Sequence, residues 1–337
     1  MLELITMKET VYIFSDGTLK REDNSLVFLT KDNVKKHIPV ENLKEIYIFG
    51  EVNCNKRLLE FVAKKEIMIS FFNYYGFYVG SFYPREHYNS GFMILKQAEH
   101  YIDKEKRLFI AKKFVEGAVK NSLKVLKYYN RRGKQLINHI HEIEESLKET
   151  NLVCNIPKLM QIEGRIKKIY YNAFNNIIES EDFNFLKRSK RPPIDRINAL
   201  ISFSNSLIYS IVLREIYSTH LDPRIGFLHS TNFRRFSLNL DIAEIFKPVL
   251  GDRVIFSAIN KEVIGVKDFE KSLNRVFLNN NGKKKIIEML ENKLKETVKM
   301  KKIGKKVSYR TLIRMELYKL EKHFLDDEIY TSLVMEW

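Results

Sequence analysis

The spacing of the apolar residues changes once along this chain of 337 residues, near residue 90. Before that point, β-branched and aromatic runs such as Thr10 to Phe14 are bounded by Asn, Asp, Gly or Pro, which is typical of β-strands. After it, apolar residues recur every three or four positions over long stretches poor in glycine, which predicts helices. The pattern therefore predicts an α+β chain, with a small β-rich domain over 1–90 and a larger all-α domain over 91–337.

The N-terminal pattern predicts strands over 10–14, 19–21, 25–30, 45–49, 67–72 and 77–82. Between the first two, Ser15-Asp16-Gly17-Thr18 contains an Asp-Gly pair, which predicts a tight turn that reverses the chain. Charged residues between apolar ones predict one short helix over 55–64. The C-terminal pattern predicts helices over 91–128, 133–149, 156–179, 193–219, 239–246, 267–276, 282–299 and 306–325.

The excess of positive over negative charge is confined to the predicted helical domain. The chain has 58 Lys and Arg against 42 Asp and Glu, a formal charge of +16, but the first ninety residues contain 12 of each sign. A surplus of this kind favours a polyanionic partner, either nucleic acid or an anionic membrane. Tyrosines interspersed among the basic clusters favour nucleic acid, because aromatic rings stack on unpaired bases. A membrane surface is less favoured because the helices carry charges on several faces.

Several classes of protein are not supported by the sequence. Cys54 and Cys154 are the two cysteines, so neither a disulfide framework nor a zinc knuckle is expected, and a reducing cytoplasm is the expected compartment. The longest uncharged stretch, 67–83, contains Ser, Asn and Gly and is too short for a confident membrane span. The motifs of nucleotide-binding loops, serine hydrolases and zinc proteases do not occur.

Two segments carry candidate chemistry. In the first, 162–174, Glu163 lies at the edge of an apolar helical face and is followed by Gly164. A helical glycine costs about 1 kcal/mol relative to alanine. That cost has a reason if a ligand approaches the backbone there, or if two helices cross closely beside a solvated glutamate. The segment by itself leaves both interpretations open.

The second segment, 222–248, contains one imidazole and two carboxylates. Asp241 and Glu244 are three residues apart, so a helix would place both on one face, and His229 precedes them in a predicted loop. Such a set suits Mn²⁺ or Mg²⁺ better than structural zinc. Alternatively, His229 is an ordinary satisfied histidine and Asp241 caps a helix. The nearby arginines that a phosphodiester substrate would require are Arg224, Arg234 and Arg235.

Four ordered motifs in this chain resemble those of the CRISPR-associated integrase and nuclease family, Cas protein one, which inserts new spacers into the CRISPR array. The motifs are Glu163-Gly164 with Tyr170, Tyr171 and Phe174; Pro192-Pro193 with Asn198-Ala199-Leu200; Gly226 to His229; and Asp241, Glu244 and Lys247-Pro248. The resemblance covers nearly the whole chain. It implies a small β domain followed by a basic helical domain, as the periodicity also predicts.

The resemblance implies that Glu163, His229 and Glu244 are catalytic and bind Mn²⁺ or Mg²⁺, with Asp241 as a further ligand or an orienting residue. It implies metal-dependent hydrolysis and transfer of DNA phosphodiesters, acting on double-stranded DNA with single-stranded ends and on CRISPR array DNA. It also implies a homodimer formed through the β domains and a complex with the small second CRISPR acquisition protein. The alternative is a non-enzymatic scaffold that binds nucleic acid. Candidate DNA contacts are Arg165, Lys168, Arg188, Arg191, Arg224, Arg234 and Arg235.

Overall fold

The computed structural model describes residues 4–7, 9–85, 88, 90–190, 192–231, 236–273, 275–300 and 304–336. The chain divides into two compact units, Met1–His87 and Tyr88–Trp337. The described part of the first unit is built mainly of strands and that of the second mainly of helices, so the predicted α+β class is confirmed.

The first unit contains two β-sheets and one helix. The strands are β1 Leu4–Thr6, β2 Thr10–Ile13, β3 Gly17–Glu22, β4 Ser25–Thr30, β5 Lys35–Ile38, β6 Glu45–Ile48, β7 Val52–Cys54, β8 Met68–Phe72 and β9 Tyr78–Phe82, with helix α1 at Lys56–Lys64. One sheet has the order β1-β2-β6-β8-β9 and the other β5-β4-β3-β7. Strands β2, β6 and β8 run parallel, and their apolar residues form one core with those of β3, β4 and α1.

The predicted turn at Asp16-Gly17 is wrong. Strands β2 and β3 belong to different sheets, so the chain crosses from one sheet to the other here instead of forming a hairpin. Gly17 is the first residue of β3 and pairs with Thr30 and Val52. A Cβ at this position would lie 2.2 Å from the carbonyl oxygen of Leu29. Glycine is therefore needed for close strand approach, and the sequence alone does not distinguish this requirement from a turn.

The second unit contains helices α2 Gly91–Ile102, α3 Lys104–Asn130, α4 Ile137–Glu149, α5 Ile156–Asn172, α6 Phe174–Ile177, α7 Arg196–Tyr217, α8 Leu238–Phe246, α9 Arg253–Asn260, α10 Asn280–Lys295 and α11 Tyr309–Phe324. A π-helical turn, Pro248–Asp252, joins α8 to α9, and 3₁₀ turns lie at Thr150–Leu152 and Val266–Asp268. Two antiparallel ribbons pair β10 Phe269–Ser272 with β11 Arg275–Leu278, and β12 Thr297–Lys299 with β13 Lys306–Ser308.

Several details of the predicted helical domain are wrong; for example, the end of the helix predicted over 282–299 forms β12. The helix predicted over 91–128 is divided at Asp103, whose carboxylate accepts hydrogen bonds from the amides of Glu105 and Lys106 and so begins α3. The helix predicted over 267–276 is the ribbon of β10 and β11, so the unit is not entirely helical. Helix α9 was not predicted, because Pro248 and Gly251 indicated a break where the chain makes a π-helical turn.

Helix α7 is the centre of the second unit. By length and composition it could cross a membrane, but 83% of its apolar window is buried inside the protein, as expected of a core helix. Helix α8 packs against both α7 and α3, and α3 also packs against α5. These contacts fix α5 and α8, the two helices that carry the predicted carboxylates.

Candidate metal centre

The carboxylates of Glu163 and Glu244 meet at one ammonium group. Glu163 lies on α5 and Glu244 on α8. Lys167, one turn after Glu163 on α5, forms an ion pair with Glu163 Oε1, and its Nζ lies 2.8 Å from Glu244 Oε2. The side chains of the two glutamates are 14% and 7% exposed. Two nearly buried carboxylates, distant in the chain, thus share a single positive charge.

A second ammonium group contacts the other oxygen of Glu244. Lys247 lies one turn further along the chain, and its Nζ is 2.5 Å from Glu244 Oε1. It also donates a hydrogen bond to the Tyr209 hydroxyl at 2.6 Å and lies 4.5 Å from the centroid of that ring. Burial would raise the pKa of Glu244, but Lys167 and Lys247 together hold that pKa well below its usual value. Glu244 is therefore an ionised acceptor at neutral pH.

His229 is held by Asp241, which is completely buried. Asp241 Oδ1 lies 2.7 Å from His229 Nδ1 and accepts the His229 backbone amide at 2.9 Å. Its Oδ2 accepts the amides of Phe227 at 2.6 Å and Leu228 at 3.0 Å. Because an ionised carboxylate only accepts, Nδ1 carries the proton and donates, which leaves the lone pair of the neutral ring on Nε2. Asp241 thereby gives His229 the tautomer in which Nε2 can accept a proton or a metal ion.

The start of the same loop is fixed by Ser237. Its hydroxyl accepts the amide of Gly226 at 2.8 Å and donates to the carbonyl of Arg224 at 2.7 Å. A Cβ at Gly226 would lie 2.7 Å from the Ser237 carbonyl carbon and 2.9 Å from Asp241 Oδ2. The glycine of the Gly-Phe-Leu-His motif is therefore required by the close approach of the loop to α8.

The surface beside Glu163 is open at Gly164. No heavy atom of the described residues, apart from its own helix backbone and chain neighbours, lies within 4 Å of the position that a Cβ would occupy. The alternative of a close helix crossing is therefore wrong. The missing side chain instead leaves space on α5 next to the carboxylate.

The donor set fits a hard divalent ion in its chemistry. Two carboxylates and one imidazole nitrogen are ligands that suit Mn²⁺ or Mg²⁺. Glu163 and Glu244 already converge on a cation, the ammonium of Lys167. Over the described ranges, however, no group of three or more His, Cys, Asp or Glu side chains is placed to hold a metal ion. Binding by Glu163, Glu244 and His229 together therefore requires their side chains to move from this arrangement.

Comparison with known proteins assigns the family. The profile of the family described as CRISPR associated protein Cas1 matches residues 11–292. The chain belongs to the Cas1 family. A relative from Thermodesulfovibrio yellowstonii, named CRISPR-associated endonuclease Cas1 2, is 56% identical over 337 residues, which cover 98% of this chain and 100% of the relative. The resemblance inferred from the four motifs is confirmed.

Solved structures share this fold. A Cas1 protein from Thermotoga maritima is 46% identical, with a TM-score of 0.87 over 97% of this chain and 100% of that one. A casposase bound to an integration product is 22% identical, with a TM-score of 0.86 over 97% of this chain and 94% of the casposase. The second likeness shows that the Cas1 fold extends to a protein of low sequence identity.

Two of the basic side chains predicted to contact DNA lie on the exposed surface of α5, close in sequence to Glu163. Lys168 is exposed. The guanidinium of Arg165 is 2.6 Å from the carboxylate of Glu149, and both side chains are about half exposed. An exposed pair of this kind exchanges readily with solvent or with another anion. The positions of these two residues are compatible with a DNA contact in this Cas1 chain.

The other predicted DNA contacts are engaged within the protein or lie outside the described residues. Arg188 donates to Asn198 Oδ1 at 2.8 Å and to Ser202 Oγ at 3.1 Å, which holds its segment against α7. Arg224 forms an ion pair with Asp222. The three that lie outside the described residues are Arg191, Arg234 and Arg235.

Sequence reasoning missed a buried acid close to the site. Asp252, at the end of the π-helical turn, is 4% exposed and accepts a hydrogen bond from the Tyr170 hydroxyl at 3.1 Å. Burial raises the pKa of Asp252 to about 7, despite the Tyr170 hydrogen bond and the positive charge of Lys247. The tyrosine of the Glu-Gly motif thus contacts a carboxyl group. The only sequence signal was the irregular stretch around Pro248 and Gly251, where π-helical turns often accompany functional sites.

Proposed function

We propose that this chain is a metal-dependent DNA nuclease and integrase that captures foreign DNA fragments and inserts them as spacers into a CRISPR array. The observation that carries the proposal is the convergence of Glu163 and Glu244 on one cation, with Glu244 on the same helix as the aspartate that orients His229. The names of two similar proteins support it, since one is called an endonuclease and the other is a casposase bound to an integration product.

In this proposal, oxygens of Glu163 and Glu244 and Nε2 of His229 hold Mn²⁺ or Mg²⁺. The ion would supply Lewis acidity toward a phosphate oxygen and lower the pKa of the attacking hydroxyl. Asp241 acts through His229, because its hydrogen bond to Nδ1 places the lone pair of the neutral ring on Nε2. Both Asp241 oxygens accept hydrogen bonds from the 227–229 loop, which favours an orienting role over a ligand role.

The nucleophile decides the outcome. When the 3′-hydroxyl of a captured fragment attacks a phosphodiester of the array, the new ester joins the fragment and the old strand end leaves. When water attacks, the strand is cut. Neither outcome needs a covalent bond to the protein, so the contribution of the chain is to position the phosphate and to stabilise its charge.

The positive charge of the second unit supports DNA binding. The chain carries 58 basic residues, and 46 of them follow residue 90 with 30 acidic ones. Neutralising DNA phosphates with such side chains releases counterions and favours binding, most strongly at low salt. Arg165 and Lys168 lie on α5 close to Glu163, and we propose that they contact the DNA backbone beside the reacting phosphate.

Replacing Glu163 tests the catalytic proposal. Glu163→Ala removes one predicted ligand, and we expect a loss of at least about 100-fold in Mn²⁺-dependent cleavage and strand transfer. Binding of DNA with single-stranded ends, measured by mobility shift, is retained. Glu145→Ala is the matched control, because Glu145 lies on α4 with its side chain 70% exposed. Equal activity of the Glu163 variant and the native protein would overturn the role of Glu163 as a ligand, and a native protein that binds DNA without metal-dependent cleavage or strand transfer would favour the non-enzymatic scaffold.

We further propose that the protein is a homodimer formed through its β domains and that it binds the small second acquisition protein, Cas2. Val79 supports the dimer, since it is an apolar side chain, 67% exposed, on the edge strand β9. A chain of a solved Cas6-RT-Cas1–Cas2 complex supports the second partner. It shares this fold at 18% identity, with a TM-score of 0.84 over 99% of this chain and 37% of that one.

Light scattering on the full chain tests the dimer. We expect twice the chain mass for the native protein and a lower apparent mass at equal concentration for Val79→Asp. Co-purification with a tagged Cas2 protein tests the complex. A monomeric native protein would overturn the first proposal, and failure to retain Cas2 would overturn the second.

A further inference from the structure

The two lysines that contact Glu244 differ in how they are held. Lys247 is 9% exposed and is anchored by the hydroxyl and the ring of Tyr209, so its charge is fixed in place. The side chain of Lys167 is 33% exposed. Within the described ranges, the ion pairs of its ammonium are those with Glu163 and Glu244. Among the described residues, Lys167 is therefore held by the two carboxylates, without a second anchor like Tyr209.

The ammonium of Lys167 occupies the position where an ion shared by Glu163 and Glu244 would be expected. It contacts one oxygen of each carboxylate, from α5 and from α8. A divalent ion and an ammonium group repel each other strongly at close range in a partly buried site. The two cations therefore compete for one position, and binding of the ion requires the ammonium to leave.

The structure leaves room for that movement. A helical side chain lies over the turn that precedes its own Cα, so the stem of Lys167 runs toward Glu163 and Gly164. At Gly164 no described atom beyond its own helix backbone and chain neighbours lies within 4 Å of the Cβ position. The flexible four-carbon stem of lysine can therefore shift across this open surface and carry its charge into solvent.

We propose that Lys167 is an internal counter-cation: it holds the carboxylates of Glu163 and Glu244 together in the metal-free protein and is displaced by the divalent ion. This inference rests on the proposed function. Lys167 is then a positioning residue that weakens ion affinity and, in return, stabilises the metal-free fold. Without it, the nearly buried carboxylates of Glu163 on α5 and Glu244 on α8 would repel each other.

Lys167→Met tests the inference, because it removes the charge and keeps most of the volume of the stem. Mn²⁺ affinity is measured by titration calorimetry on the full chain without DNA, and we expect it to become tighter by about tenfold. The Tm of the metal-free variant falls, and the rise in Tm on adding Mn²⁺ is larger than for the native protein. Lys158→Met is the matched control on α5, since Lys158 is exposed and its ammonium donates a hydrogen bond to Gln161. The Mn²⁺ affinity of this control stays that of the native protein.

A double variant separates charge from packing. In the native background, Glu163→Gln lowers the metal-free Tm, because it removes a partner of Lys167. In the Lys167→Met background the same change raises the metal-free Tm, because Glu163 has lost its ammonium partner there and its carboxylate repels that of Glu244. If Lys167→Met does not fold, Lys167→Gln is used for the affinity measurement.

The outcomes are distinguishable. Tighter Mn²⁺ binding with a lower metal-free Tm supports the inference. Native and variant proteins that bind Mn²⁺ equally, or a variant that binds more weakly, would overturn it and leave the proposed function standing. If neither protein binds Mn²⁺, both the inference and the metal-dependent function are overturned.

Discussion

Asp241 and Glu244 lie three residues apart on α8 and are both buried, yet their partners differ in kind. Asp241 accepts three backbone amides and the imidazole of His229. Glu244 contacts the ammonium groups of Lys167 and Lys247. Backbone amides cannot leave without unfolding the loop that carries them, whereas a lysine side chain can move. Asp241 therefore determines the conformation of the site, whereas the cation that Glu244 contacts can be exchanged for another.

The largest effect is expected at Asp241. Asp241→Ala leaves the amides of Phe227, Leu228 and His229 without their acceptor, so we expect stability to fall by about 4 kcal/mol. Urea denaturation measures the change. Asp241→Asn keeps one carbonyl acceptor and should cost less. A loss below about 1 kcal/mol for the alanine variant would show that these hydrogen bonds do not determine the conformation of the 227–229 loop.

Glu244→Gln should cost less in stability. The amide still accepts one hydrogen bond, Lys247 keeps its bond to Tyr209, and Lys167 can move to water, so we expect a loss of about 2 kcal/mol by urea denaturation. Metal-dependent cleavage should be lost as well. Adding Lys247→Met to this variant should recover part of the stability, because it removes a buried charge left without its anion. A cost as large as that of Asp241→Ala would remove the distinction between the two carboxylates.

Asp252 is a third buried carboxylate with a different kind of partner, since it accepts a hydrogen bond from the neutral Tyr170 hydroxyl. Its pKa is raised from 3.8 to about 7 in the folded protein. At pH values between these two, the folded state therefore keeps a proton that the unfolded state has released. Stability from this group is present below about pH 4 and is lost as the pH rises to about 7. Asp252→Asn should remove a slope of about 1.4 kcal/mol per pH unit in that window. Urea denaturation at several pH values measures it, and parallel profiles would contradict the assignment.

The smallest effect is expected at an exposed ion pair. Glu149 and Arg165 lie 2.6 Å apart, but both side chains are about half exposed, so solvent screens the attraction. Glu149→Gln should change stability by less than about 0.5 kcal/mol, and added salt should make little further difference. A loss of stability comparable to that of Glu244→Gln would mean that burial does not account for the difference between these two ion pairs.

The elements that were predicted well are those with long, regular patterns. Strand β4 has the predicted bounds, and α4 and α11 differ from prediction by a few residues, because one apolar period runs through each. The errors fall where a local signal has two physical meanings. Gly17 was interpreted as a turn residue but is needed for close strand packing. The segment 267–276 was interpreted as a helix but forms a ribbon whose apolar residues in β11 are buried by the surrounding fold.

For the site, the spacing of Asp241 and Glu244 predicted one helical face, and the four motifs pointed to Glu163 and His229. No spacing rule indicated Lys167 as a partner of Glu244, since these residues come from different helices. Asp252 was missed for the same reason, because its burial and its contact with Tyr170 depend on how α5 and the π-helical turn pack together.

The sequence by itself determined the division into a strand-rich and a helix-rich region, the location of the positive charge and the types of side chain available to the site. Each of these depends on residues close together in the chain or on composition. Tertiary structure alone decided which positive or neutral group each buried carboxylate meets: the 227–229 loop for Asp241, two lysines for Glu244 and a tyrosine for Asp252. The energy of a buried carboxylate depends on partners within a few ångströms, and chain folding brings those partners from distant positions.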